Sequence, residues 1–179
     1  GRNIGVNLEV SEALHILENK DGAGSLVQKS CAIAGIALEM TGKAAAGNGA
    51  DAAMTLIRNG KALSKMREII EIQGGDPHVK ADDLTFGPFT YDVPAPADGA
   101  VISVKNRALI DIARTAGSPA DHGAGLTLHK KPGETVRKGE PLLTIYAEKE
   151  WRLSEAIELC RTAKPVAVSG MLLSRIGSE

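Results

Sequence analysis

The sequence is short of cysteine, of unbalanced charge and of long apolar runs. It holds 2 cysteines in 179 residues, Cys31 and Cys160, and two thiols far apart in unlike surroundings do not make a disulfide framework. Both read as small buried hydrophobes in a reducing cell. Net charge is −1 at pH 7, and no Lys/Arg run exceeds two residues. The broad basic footprint of a nucleic-acid-binding protein is therefore missing, and no nucleic-acid partner is expected. No apolar run approaches the roughly 20 residues that cross a bilayer, and no basic-then-apolar leader is seen. A cytoplasmic protein without a membrane partner is the expectation. An initiator Met is lacking too, since the chain reads Gly1-Arg2-Asn3-Ile4-Gly5 from its start, as a stretch cut from a longer protein would. Solenoid repeats and low-complexity tracts are also absent.

What is present is ordinary globular material, 43% hydrophobic and 24% charged, enough for one or two domains. Residues 9 to 73 read as three or four packing helices. Val10, Leu14 and Leu17 make one apolar face, and Val27, Cys31, Ala34 and Leu38 repeat the spacing. Asn48-Gly49-Ala50-Asp51 opens a third stretch with Ala53, Leu56 and Ile57, which Gly60 interrupts before Leu63, Met66 and Ile70. Prolines and glycines then punctuate residues 74 to 98, placing a domain boundary near residue 85. Beyond it the chain reads α+β: strands at 89–93 and 99–105, a helix at 106–116, a β-module over 121–146, a helix at 151–163 and a strand at 165–169. In the module, Leu126, Leu128, Val136, Leu143 and Ile145 alternate as in strands, with turns at Pro132-Gly133 and Lys138-Gly139.

Several residues could carry chemistry, and each has a plainer reading. Gly47-Asn48-Gly49 and Gly123-Ala124-Gly125 lack the spacing of a phosphate loop and read as turns. His122 and His129, seven apart, fall on opposite faces of a strand, and no cysteine completes a ligand set, so no metal site is expected. Asp121 reads as a turn cap with His122 satisfied by backbone. Lys29 lies in an otherwise apolar helix, either as one exposed lysine or as an ammonium turned into a cleft to hold an anion. Lys149 follows a strand at the distance where biotin and lipoate carriers display theirs. Its neighbours Glu148, Glu150 and Trp151 are not those of a carrier, so a carrier or binding module is the second reading.

Three segments together resemble the thymidine/pyrimidine-nucleoside phosphorylase family, nearest its archaeal AMP phosphorylase branch. They are Gly1-Arg2-Asn3-Ile4-Gly5 with Leu8-Glu9-Val10; Gln73-Gly74-Gly75-Asp76-Pro77; and Asp121-His122 through Tyr146, with Leu128-His129-Lys130-Lys131 and Lys138-Gly139-Glu140-Pro141-Leu142. They come in family order. The resemblance implies phosphorolysis of a pyrimidine nucleoside or AMP to free base and sugar 1-phosphate. No cofactor is implied, inorganic phosphate being the co-substrate. The family's phosphate-binding motif and base-contacting residues belong upstream of Arg2, so no catalytic residue is expected within this chain, and the chain alone is expected to be inactive. By the same resemblance Lys29 and Asn3 are the candidate substrate-binding residues. Residues 1–84 would be closing helices of a larger α/β catalytic domain plus a linker, and 85–179 an α+β domain with a barrel-sandwich, hammerhead-like module. Helices missing their sheet would expose apolar surface, from which a homo-oligomer is expected.

Overall fold

The structure is a computed structural model that describes residues 1–19 and 24–170. Six α-helices and seven strands occur among them: β1 (Asn3–Ile4), α1 (Val6–Leu17), α2 (Gly24–Met40), α3 (Gly49–Arg58), α4 (Lys61–Ile72), β2 (Phe89–Pro94), β3 (Gly99–Val104), α5 (Asn106–Ala116), β4 (Gly125–Leu128), β5 (Thr135–Val136), β6 (Pro141–Ala147), α6 (Glu150–Ala163) and β7 (Val166–Ser169). Helices beside antiparallel sheets make the chain α+β. Two compact units divide it, one of Gly1 with Glu9–Leu84, the other of Arg2–Leu8 with the chain from Thr85 onward. The segment Arg2–Leu8, grouped in the sequence with the helices that follow, joins the second unit because β1 pairs with β4, Asn3 opposite Thr127 and Ile4 opposite Leu126.

In the first unit the buried face of α2 centres on Cys31 and Gly35, while Ala34, expected inside, is exposed. The face is turned by one residue because α2 meets α3 through glycine. A Cβ on Gly35 would lie 2.4 Å from Ala50 N, and one on Gly49 2.2 Å from Gly35 O. Gly60 holds φ 77 between α3 and α4, the left-handed turn glycine adopts freely. Ser11, on α1, is only 4% exposed; its hydroxyl donates to Ala81 O at 3.2 Å.

The second unit holds two antiparallel sheets, ordered β1-β4-β6-β2 and β5-β3-β7. Leu143, Ile145 and Ala147 on β6 and Leu126 on β4 point to one face, where they pack with Leu109, Ile112 and Ala116 of α5 and Ala156 and Cys160 of α6. The β-module does not fold back on itself as one sheet. β4 pairs with β6, but β5 pairs with β3, and Val136 enters a second core with Ala95, Val101 and Leu142. Its two turns follow one design. Gly133 (φ 91) and Gly139 (φ 84) take the left-handed position, and the glutamate after each accepts from the N–H three residues back, Lys131 N to Glu134 and Arg137 N to Glu140, both at 2.9 Å.

Candidate functional site

The four-stranded sheet turns Leu143 and Ile145 inward, so the intervening residues of β6 and their cross-strand partners share the opposite face. Pairing brings Asn3, Thr127, Thr144 and Asp92 into one row across all four strands. The Thr127 hydroxyl donates to Asn3 Oδ1 at 2.7 Å. Thr144, 7% exposed, donates to Asp92 Oδ1 at 2.5 Å. Its oxygen lies 2.7 Å from His129 Nε2, and with the single hydroxyl proton given to Asp92, that nitrogen is the donor. His129, Thr144 and Asp92 thus form a directed chain, and Thr127 with Asn3 a separate pair in the same row. No sequence signal pointed to Asp92 or Thr144, because only strand register brings them together.

Arg2 closes the row's margin, donating to His129 O and to Glu134 at 2.7 Å. That guanidinium, with the Lys131 N–H, holds the Glu134 carboxyl below the usual carboxylate range. Lys130, 2.6 Å from Glu140, with the Arg137 N–H, lowers the Glu140 carboxyl likewise.

The remaining candidates separate. Asn3 belongs to the second unit and Lys29 to the first. Lys29 is exposed on α2, one stripe with Ile33, Ile36 and Met40, which are 60%, 61% and 82% exposed. Lys29 has no ion pair among the described residues. His122 precedes β4 and is exposed; its carbonyl accepts from Asn7 N at 3.0 Å. The Asp121 carboxylate, read as a turn cap, instead faces the start of α6, 3.3 Å from Arg152 Nε and 3.8 Å from Lys149 Nζ. Lys149 is the residue before α6. A lysine leading into a helix is not displayed on a hairpin, so the carrier reading loses its geometric basis.

Neither glycine loop is open to phosphate. Gly49 N donates to Glu39 Oε1 at 2.8 Å and Gly123 N to Glu148 Oε1 at 2.7 Å, so a carboxylate of the chain already holds the donor an anion would use. Both cysteines are free and buried, and burial pushes the Cys160 thiol up. Among the described residues no group of three or more His, Cys, Asp or Glu could hold a metal ion, and no helix is long and apolar enough to cross a membrane.

Residues 100–167 match the pyrimidine nucleoside phosphorylase C-terminal domain. Over 179 residues the chain is 70% identical to the AMP phosphorylase of Methanocorpusculum labreanum, covering 100% of this chain and 35% of that protein. It is 54% identical over 176 residues to that of Methanospirillum hungatei, covering 98% of this chain and 34% of the relative. With the AMP phosphorylase of Thermococcus kodakarensis it shares 48% over 178 residues, 99% of this chain and 35% of the relative. The chain thus spans about a third of the length of the curated relatives it matches. It fits the C-terminal part of the pyrimidine nucleoside phosphorylase family, on the AMP phosphorylase branch.

Proposed function

We propose that this chain serves an enzyme that cleaves AMP by phosphorolysis. An oxygen of inorganic phosphate forms a bond to C1′ of the ribose while the C1′–N bond breaks, releasing adenine and leaving a sugar 1-phosphate. The observation that carries this is 70% identity with an AMP phosphorylase along all 179 residues. The reaction needs no metal or organic cofactor. Its transition state has oxocarbenium character, so catalysis rests on placing phosphate beside the sugar and on donors for the departing base.

In this reading the reacting groups lie in the part of the protein outside this chain, and the chain frames the cleft. Lys29 supplies an ammonium to the 5′-phosphate or the attacking phosphate, and Asn3, held by Thr127, a side-chain amide. α2 supports a framing role, because a helix with Ile33, Ile36 and Met40 exposed and apolar nearly all round belongs in an interior. The rest of the polypeptide then covers it, and an uncovered helix would drive self-association. The two small sheets of the second unit are proposed to form a barrel-sandwich module of the hammerhead kind. A cytoplasmic homo-oligomer completes the proposal.

The test compares the longer protein, from the same open reading frame, with the 179-residue chain. Adenine release from AMP with phosphate is expected from the first and not the second. Activity of the short chain alone, or a longer protein that releases no adenine from AMP, would refute it.

A further inference from the structure

We infer that a cleft where the two cores of the second unit meet is a binding site for a small amphipathic anion, an apolar body with one negative head group. The cleft has a volume of about 420 Å³, within the range of pockets that enclose small molecules. Leu143 of the first core and Leu142 of the second both line it, with Tyr91, Val93, Ile157 and Cys160. A nucleobase would leave its ring nitrogens unpaired against such walls, whereas an aliphatic or hydrocarbon-ring body would not.

The charge at the mouth selects the head group. Arg161 and Lys164 are the charged residues that line the cleft, and no acid does so among the described residues. Arg161 is already paired with Glu158 at 2.5 Å, which leaves Lys164 as the cation without an ionic partner among the described residues. Lys164 ends α6 at φ 43, ψ 69, the left-handed position where glycine is the unstrained choice. The Cys160 thiol, pushed up by burial, stays neutral and adds no competing anion.

Octanoate is the probe, with octanol and octylamine as uncharged and cationic counterparts, followed by amide chemical shifts of the whole chain. Saturable shifts confined to residues around Tyr91, Leu142 and Ile157 are expected, with octanoate bound about tenfold more tightly than octylamine. Lys164→Glu, at an exposed position, should reverse that order, and Cys160→Met, which extends into the cleft, should remove binding. Equal affinity for the three probes, or shifts centred on α2, would overturn the proposal. So would binding that needs removal of residues 171–179, since the chain's own terminus would then be the occupant.

Discussion

Replacing Gly35 by alanine sets two effects of opposite sign against each other inside one helix. In a helix interior alanine is favoured over glycine by about 1 kcal/mol, so propensity alone predicts a more stable chain. The new methyl, however, would start 2.4 Å from Ala50 N, 2.5 Å from Gly49 C and 2.8 Å from Ala50 Cα. All three are backbone atoms, and no rotamer change removes them. α2 and α3 must part by about 1 Å to restore van der Waals distance, and overpacking of this kind costs about 1–3 kcal/mol. A net loss of about 0–2 kcal/mol in the first unit is expected, the clash offsetting or exceeding the propensity gain. Cys31, 4% exposed on the same helix, reports it directly. In a Cys160→Ser background its reaction with a thiol reagent should quicken about tenfold per 1.4 kcal/mol lost. Gly24→Ala makes the same chemical change where nothing lies within 4 Å, and should leave the rate nearly unchanged. A Gly35→Ala chain that reacts more slowly than the parent would refute the close helix approach.

Thr144→Val keeps shape and strand preference but leaves Asp92 and His129 without their shared hydroxyl; a loss of about 1–2 kcal/mol in urea unfolding is expected, and a neutral or stabilised variant would mean that the polar chain contributes nothing. The Arg2–Glu134 pair gives stability with a defined pH window. Because Glu134 is lowered in the folded chain from 4.5, its contribution is present above the unfolded value and disappears as pH falls through the folded one. With side chains 35% and 39% exposed, solvent screening limits it to about 0.5 kcal/mol. Glu134→Gln should therefore be less stable than the parent at pH 7 and equal to it once the pH has fallen below the folded value, and a difference that persists there would assign the loss to packing. Lys29→Ala in the longer protein should raise KM for AMP about tenfold, one charge-assisted hydrogen bond, without changing the fold; unchanged kinetics would leave Lys29 as a solvated residue.

The parts of the fold that the sequence disclosed are those decided locally. Gly60 ends one helix and begins another through its own φ, and Gly133 and Gly139 dictate turns whatever surrounds them. The helix over Asn106–Ala116 is legible because Leu109, Ile112, Ala113 and Ala116 repeat at helical spacing and all face the core. What stayed hidden depends on pairing between distant residues. Val136 alternates with Leu128 and Leu143 as though all three shared a sheet. Its partner is Gly99, and nothing within the module announces that choice. The face of α2 was misjudged for a related reason, since apolar spacing favours Ala34 and close backbone approach favours Gly35. Hydrophobic periodicity registers side chains and is blind to a contact made by their absence.

The same distinction governs the site. Histidines and glycine loops attract attention in a sequence because their chemistry is intrinsic, yet two loop donors, Gly49 N and Gly123 N, are already held by carboxylates of the chain, and His122 gives only its carbonyl to α1. Thr144 sits in the run Leu142-Leu143-Thr144-Ile145-Tyr146 and looks like a strand residue chosen for its β-branch. Its neighbours across the sheet make it the central link between an imidazole and a carboxylate, and the same register sets Thr127 against Asn3. Asn3 thereby has its carbonyl oxygen engaged by the Thr127 hydroxyl. Removing that donor with Thr127→Val would leave β-pairing intact while taking away one of the bonds that orient the amide. If Asn3 contributes to substrate binding, KM for AMP in the longer protein should rise in Thr127→Val as it does in Asn3→Ala, with kcat little changed. A Thr127→Val enzyme with parental KM beside a weakened Asn3→Ala would show that Asn3 binds without being positioned. Parental values for both would remove Asn3 from the site.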